Sequence, residues 1–179
     1  AARSAPQSVE RLPCGADLAY PIRSSGELVH GSVRVHLRPE DEPAHQVGLA
    51  RLWADVLAAS GSADRPRAAI DAWIAEHGAA LDVSLEAAGL EIAFRCPAAD
   101  LGEALAIARD LLAAPTFDER ALESGKNRVV ARLWRSSPSE VADRALEELL
   151  FGDGALRARI PHKADLAQLG VADLAAFHA

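Results

Sequence analysis

The segment LDVSLEAAGLEIAFRC, from Leu81 to Cys96, alternates apolar and polar residues in two runs separated by Ala87-Ala88-Gly89. Apolar side chains at every second position indicate a strand with one buried face. The interruption suits a tight turn, so the two runs predict a β-hairpin. An antiparallel sheet is therefore the element around which the rest of the chain is interpreted.

Two further strands are predicted before this hairpin. The first is GADLAYPI (15–22), followed by a turn at Ser24-Ser25-Gly26, and the second is LVHGSVRVHL (28–37), which again alternates. His30 and His36 fall on the polar face of the second strand, too far apart along it to share a metal ion directly. We therefore expect these two histidines to be solvated.

The remaining segments are predicted to be helical. A first helix covers residues 46–60, and a second has Pro66 near its first turn and Gly78 just past its end. The DLGE sequence from Asp100 has capping-box spacing before a helix that ends near Ala114. The later helices are a long one from Asp118, one from Pro138 to Gly152, and two short ones in KADLAQLG and VADLAAFHA. This order predicts an α+β fold, a mostly antiparallel sheet with helices packed on it.

Composition limits the possible partners and the number of domains. The 179 residues are half apolar, which suits one core, so we expect a linker or tail at residues 1–8 and a single domain at residues 9–179. A net charge of −7 without any Lys/Arg run argues against nucleic acid, and no apolar stretch approaches the roughly 20 residues of a membrane span. The sequence has no βαβ repeat and no Gly-rich phosphate loop, so a nucleotide-binding domain is not indicated. The two cysteines, Cys14 and Cys96, are expected to be buried free thiols rather than a bridge.

The most unusual helical segment is GLARLWADVL, from Gly48 to Leu57. It is almost entirely apolar, yet it carries Arg51 and Asp55 four residues apart, on the same face of the helix. A charged pair on such a helix calls for an explanation.

Four phrases of the sequence, taken in order, resemble one family, the insulinase, pitrilysin and mitochondrial-processing-peptidase metallopeptidases with an inverted zinc motif. RLPCGADLAYPI resembles the opening strand of that family, and EDEPAHQVGLARLWADVL resembles the loop and helix that carry its zinc site. LLAAPTFDERALESGKNRVVARL and LEELLFGDGAL resemble two later segments of the family. The resemblance runs from Val9 to Phe177 and implies one domain of a metallopeptidase chamber.

The resemblance also implies that the zinc site is degenerate in this chain. Active members carry His-x-x-Glu-His on a helix, with a third ligand, a Glu, on the later long helix. Arg51 stands at the first His, Ala54 at the Glu and Asp55 at the second His, while the third ligand falls at or beside Leu133. A guanidinium cannot ligate zinc, and Ala54 cannot act as a base, so we expect no catalytic residue, no metal and no cofactor in this chain.

We expect Arg51 and Asp55 to contact each other on a face that lies near the long helix around Val130 to Trp134. If that face is partly buried, the pair fills the vacated site, and deleting one partner would cost about 3 to 5 kcal/mol. The alternative is an ordinary exposed pair worth a few tenths of a kcal/mol.

Other charged and aromatic residues have simpler interpretations. Glu119 and Glu123 are expected to be solvated, and Lys126 stands where active members tend to carry an acidic residue. The segment with Asp41, Glu42 and His45 is interpreted as a flexible acidic loop rather than a cation site. The tryptophans lie among aliphatic residues and are expected in the core or an interface: Trp53, Trp73 and Trp134.

Family members work as pairs or chains of homologous domains, which leads to the principal hypothesis. It is a non-catalytic domain that forms a wall of a peptide-binding chamber, with a homologous domain or subunit and the peptide substrate as partners and zinc only in the partner domain. The alternatives are a free-standing peptide- or protein-binding module, part of an active zinc peptidase whose metal site lies in another domain, and an enzyme of altered chemistry. Family domains continue with one more strand, so we expect this sequence to stop before its final strand.

Overall fold

The computed structural model describes residues 7–13, 15–21, 26–86, 89–134, 137–151 and 160–179. The strands are β1 (Gln7–Arg11), β2 (Asp17–Pro21), β3 (Leu28–His36), β4 (Ala80–Glu86) and β5 (Gly89–Pro97). The helices are α1 (Leu49–Ala59), α2 (Arg67–His77), α3 (Leu101–Ala113), α4 (Glu119–Trp134), α5 (Pro138–Phe151), α6 (Lys163–Gln168) and α7 (Val171–His178). The predicted α+β class is confirmed.

The larger sheet has the strand order β3-β5-β4, with both neighbouring pairs antiparallel. Leu85 opposes Leu90 and Val83 opposes Ile92, so β4 and β5 form the predicted hairpin, while its turn at Ala87 and Ala88 lies outside the described residues. Leu90, Ile92 and Cys96 of β5 are almost fully buried, and alternate residues of β3 are exposed. This alternation places one face of the sheet against the core and leaves the other polar.

A second, two-stranded sheet pairs β1 with β2. Arg11 and Asp17 face each other in this pair and form an exposed ion pair at 2.9 Å. β1 was not predicted from the sequence. Because β1 begins at Gln7, the last two residues of the predicted tail at residues 1–8 lie in a strand. The predicted turn residues Ser24 and Ser25 lie outside the described residues.

The core forms where α1 and α4 pack together and α1 lies against the sheet. Leu52 and Val56 of α1 are fully buried, and Gly125 of α4 lies directly on them. A Cβ at Gly125 would stand 2.8 Å from Cγ2 of Val56, so the absence of a side chain allows this close helix crossing. The positions of α1, α4 and β4 relative to one another are thus fixed by apolar packing.

Most helix ends agree with the predicted signals. Pro66 is the N-cap of α2, and Gly78 ends it in the left-handed conformation with φ of 59°. α1 begins at Leu49, three residues later than predicted, after Gly48 with φ of 90°. Asp100 is the N-cap of α3 but its side chain makes no capping hydrogen bond, so the predicted capping box there is wrong.

Two expectations about individual side chains are also tested. Trp53 is 3% exposed and Trp73 packs against the core, as predicted, while the side chain of Trp134 lies outside the described residues. Cys96 is a buried free thiol, and burial raises its pKa; Cys14 lies outside the described residues.

Within the described segments, no helix combines the length and the hydropathy that a membrane crossing requires.

Candidate functional site

A polar pocket of about 270 Å³ lies where α1, α4 and β4 meet. Arg51, Ala54 and Asp55 line it from α1, four consecutive residues line it from β4, and Arg132 lines it from α4. Three of the four positions assigned to the degenerate zinc site are therefore together in one pocket.

Asp55 is held by a guanidinium from the neighbouring helix. Nη2 of Arg132 donates to Oδ1 of Asp55 at 3.0 Å, and Nη1 donates to Oδ2 at 3.3 Å. The Asp55 side chain is 11% exposed and that of Arg132 is 54% exposed, so the pair lies at the boundary between core and solvent. Bidentate contact with a largely buried carboxylate is stronger than an ordinary surface ion pair.

Arg128, one turn before Arg132 on α4, adds a second contact to the same residue. Its Nη2 donates to the backbone carbonyl of Asp55 at 2.8 Å, and its Nη1 donates to the Ser124 hydroxyl at 2.7 Å. Two arginines of α4 therefore fasten Asp55, one through its side chain and the other through its main chain.

The expectation that α4 passes close to Asp55 is confirmed, and the residue in contact is Arg132, directly beside Leu133. Leu133, at the predicted position, is half-buried and packs against the core. Neither Arg128 nor Arg132 was singled out from the sequence, although their spacing of four residues places both on one face of α4. The direct contact between Arg51 and Asp55 stays a prediction.

Glu42 overturns the interpretation of residues 41–45 as a flexible acidic loop. Glu42 is 3% exposed, and its Oε1 accepts hydrogen bonds from the backbone N–H groups of Gly48 and Ala50, both at 3.0 Å. A carboxylate at these N–H groups satisfies donors that the first turn of a helix leaves open and suits the positive end of the helix dipole. Glu42 thus anchors the start of the helix that carries Arg51 and Asp55.

The other candidate residues are placed as expected. His30 and His36 are exposed on β3. Glu119 is exposed, and the 63% exposed side chain of Glu123 pairs with Lys126 at 2.9 Å. Among the described residues, no group of three or more His, Cys, Asp or Glu side chains could hold a metal ion. The polar groups that line the pocket described above belong to arginines, aspartates, a serine and the backbone.

Comparison with known proteins identifies the family. The sequence profile of the insulinase family, peptidase family M16, matches residues 32–159. That range contains the pocket and most of the domain, and the chain belongs to this family. No curated protein matches the sequence.

Three solved structures are similar in fold. The periplasmic protease PqqL from Escherichia coli is 18% identical with a TM-score of 0.69, and the match covers 96% of this chain and 19% of that protein. The ferredoxin protease FusC, solved in complex with Arabidopsis ferredoxin, is 19% identical with a TM-score of 0.69 and the same coverage. A protease from Helicobacter pylori is 15% identical with a TM-score of 0.72, and the match covers 98% of this chain and 43% of that one.

These matches place the chain as one part of a larger architecture. It spans about a fifth of the length of the first two proteases and less than half of the third. The fold is that of one domain of a chamber-forming metallopeptidase.

Proposed function

We propose that this chain is a non-catalytic domain of an insulinase-family peptidase, which pairs with a homologous zinc-bearing domain and forms one wall of the peptide chamber. The main support is the bidentate contact between Arg132 and Asp55. The contact joins α1 and α4, the two helices that by the family resemblance would carry the zinc ligands in active members.

The chemistry of the pocket agrees with a non-catalytic role. Zinc sites in peptidases need three protein ligands from His, Cys, Asp or Glu and a water whose pKa the metal lowers. Arg51 and Arg132 present only donors, and Ala54 presents a methyl group where the family has its general base. In this proposal zinc is bound only by the partner domain.

The similar structures support a role in holding a polypeptide. The ferredoxin protease FusC was solved in complex with Arabidopsis ferredoxin, so a protein of this architecture binds another protein. The same argument would hold for a free-standing peptide-binding module, which is the second candidate.

The test is to purify the chain with a homologous zinc-bearing domain of the same parent polypeptide or of a sister subunit. We expect the two to co-elute on gel filtration, and peptide hydrolysis to require both and to be abolished by a chelator. Elemental analysis should find zinc in the partner and none in this chain.

Two results would separate the alternatives. A stoichiometric zinc in this chain with chelator-sensitive hydrolysis by it alone would overturn the non-catalytic role. A partner that is fully active alone and unchanged in size on addition of the chain would favour the free-standing module.

A further inference from the structure

His178, at the end of α7, connects three helices through the two nitrogens of its ring. Nε1 of Trp53 on α1 donates to Nδ1 of His178 at 3.2 Å. Nε2 of His178 lies 3.0 Å from the backbone carbonyl oxygen of Leu112 on α3. The imidazole of α7 therefore bridges α3 and α1, the helix that carries Arg51 and Asp55.

Both partners of His178 have fixed roles in hydrogen bonding. An indole N–H can only donate, and a carbonyl oxygen can only accept. The contacts therefore assign the neutral imidazole with its proton on Nε2, because only this form accepts at Nδ1 and donates at Nε2. An imidazolium donates at both nitrogens, so its Nδ1–H would face the N–H of Trp53.

Both hydrogen bonds satisfy groups that have no other partner within their own helix. Trp53 is 3% exposed, so solvent has little access to its indole N–H. Leu112 lies in the last turn of α3, where the carbonyl groups have no donor within the helix. A buried polar group that loses its partner is costly, so the loss of the Trp53 hydrogen bond should destabilise the docking of α7.

Aromatic rings surround the imidazole of His178. The ring centroid of Trp53 lies 5.7 Å from that of His178 and 5.3 Å from that of Phe177. Phe117, which precedes α4, meets His178 edge to face with a centroid distance of 5.8 Å. These contacts restrict rotation of the imidazole, so each ring nitrogen keeps its partner.

The charged residues close to this cluster along the chain have partners elsewhere. Asp55 of α1 binds Arg132, Asp110 of α3 pairs with Arg109 and Arg65, Asp118 before α4 accepts from the N–H of Ala121, and Asp173 of α7 accepts from Gln46 and Gly170. Arg51 lines the pocket on α1 together with Asp55. Among the described residues, no carboxylate side chain forms an ion pair with His178. A proton added to the imidazole would therefore gain no carboxylate side chain as a partner.

We propose that His178 is a pH-sensitive contact, which holds α7 on α1 and α3 while its imidazole is neutral. Histidine is the side chain whose charge ordinarily changes between about pH 5 and 8. Because the fold uses the neutral form, the contact is present at the upper end of this range and is lost as the pH falls and Nδ1 takes up a proton. The inference does not depend on the non-catalytic role or on pairing with another domain.

The experiment compares thermal unfolding of the whole chain at pH 8 and pH 5, in the wild type and in His178→Gln. The Gln amide offers an acceptor and a donor in place of the two ring nitrogens and does not titrate, so it should keep the contact at both pH values. We expect the midpoint of the wild type to fall about 2 to 4 °C further than that of the variant, the equivalent of one hydrogen bond in a chain of this size.

Nitrogen NMR of the wild type tests the same contact without any substitution. At pH 8 the proton of His178 should be on Nε2. On acidification the indole N–H signal of Trp53 should shift in the wild type and stay in place in His178→Gln.

Two controls assign the response to His178. His77→Gln removes the imidazole that stacks on Trp73 with a centroid distance of 5.2 Å, and it should leave the extra fall of the midpoint unchanged. An extension of three residues after Ala179 moves the terminal carboxylate away from His178 and should also leave the extra fall unchanged.

Three results would overturn the proposal. They are equal falls of the midpoint in the wild type and in His178→Gln, a proton on Nδ1 at pH 8, and an extra fall that disappears in either control. None of these results concerns zinc content or association with a homologous domain, so the proposed function is tested separately.

Discussion

Arg132 holds the carboxylate of Asp55 through two hydrogen bonds. Arg132→Gln removes the bidentate partner of a carboxylate that is only 11% exposed. We expect a loss of about 1 to 3 kcal/mol in the free energy of unfolding, below the 3 to 5 kcal/mol of a fully buried pair, because water reaches the half-exposed Arg132 side. Urea unfolding followed by circular dichroism measures the change.

The control for this prediction is a second ion pair in the same chain. Arg11→Gln breaks a pair whose side chains are 69% and 57% exposed, and it should change stability by at most about 0.5 kcal/mol. Adding Asp55→Asn to Arg132→Gln should recover part of the loss, since the stranded charge is removed. Equal effects of Arg132→Gln and Arg11→Gln would contradict the prediction.

Glu42 gives a second prediction for a single residue. Glu42→Gln keeps the size of the side chain but replaces the carboxylate at the N–H groups of Gly48 and Ala50 with a neutral amide. We expect a loss of about 1 to 2 kcal/mol, the usual range for a helix N-terminal cap. The thermal midpoint of Glu40→Gln, with a side chain 64% exposed, should stay close to wild type; a similar fall in both variants would argue against the cap.

At the level of elements, Asp110 of α3 forms an ion pair with Arg65, which lies just before α2. The hydrogen bond from Arg109 is the largest cause that lowers the pKa of Asp110, and Arg65 acts in the same direction. Because the pKa is lower in the folded state, Asp110 stabilises the fold above its unfolded pKa of about 3.9, and this contribution is lost as pH falls through the folded pKa.

The prediction is that Asp110→Asn lowers stability at neutral pH and flattens the decline below about pH 4. Chemical unfolding at a series of pH values, with wild type and variant in parallel, measures both effects. Parallel curves that keep the same separation down to the lowest pH would show that Asp110 does not contribute to the acid sensitivity.

The strands and helices also differ in how well the sequence predicted them. The β4–β5 hairpin followed from alternation in sixteen residues, whereas QSVER of β1 is too short and too polar for a periodic signal, and its strand is defined by pairing with β2. The sequence placed the contact partner on α4 at or beside Leu133, without deciding between neighbouring residues, and the contact with Asp55 is made by Arg132. One residue rotates the side chain by about 100° around a helix, so only the packing of α4 against α1 decides which of the two faces Asp55.

For the whole molecule, the arrangement predicts how a metal site could be rebuilt. The triple variant R51H, D55H and R132E places two imidazoles one helical turn apart and a carboxylate at the residue that now contacts position 55. We expect it to retain about one zinc ion per chain after dialysis. The matched variant with L133E in place of R132E should retain much less, because Leu133 packs against the core.

Elemental analysis of the two triple variants decides the outcome. Equal zinc retention, or more zinc with L133E, would show that position 133 reaches the site and that the residue facing it has been misassigned.

The bond between Asp55 and Arg132 joins residues 77 positions apart, which has a consequence for the lifetime of the folded state. Closing so long a loop costs conformational entropy before the contact can repay it, so we expect this contact to form after the folding transition state. Its loss should then accelerate unfolding while leaving the folding rate nearly unchanged. In stopped-flow experiments, the unfolding rates of Arg132→Gln should exceed those of the wild type, and its folding rates should be the same. The ion pair would then slow the unfolding of the native domain without affecting how fast it folds.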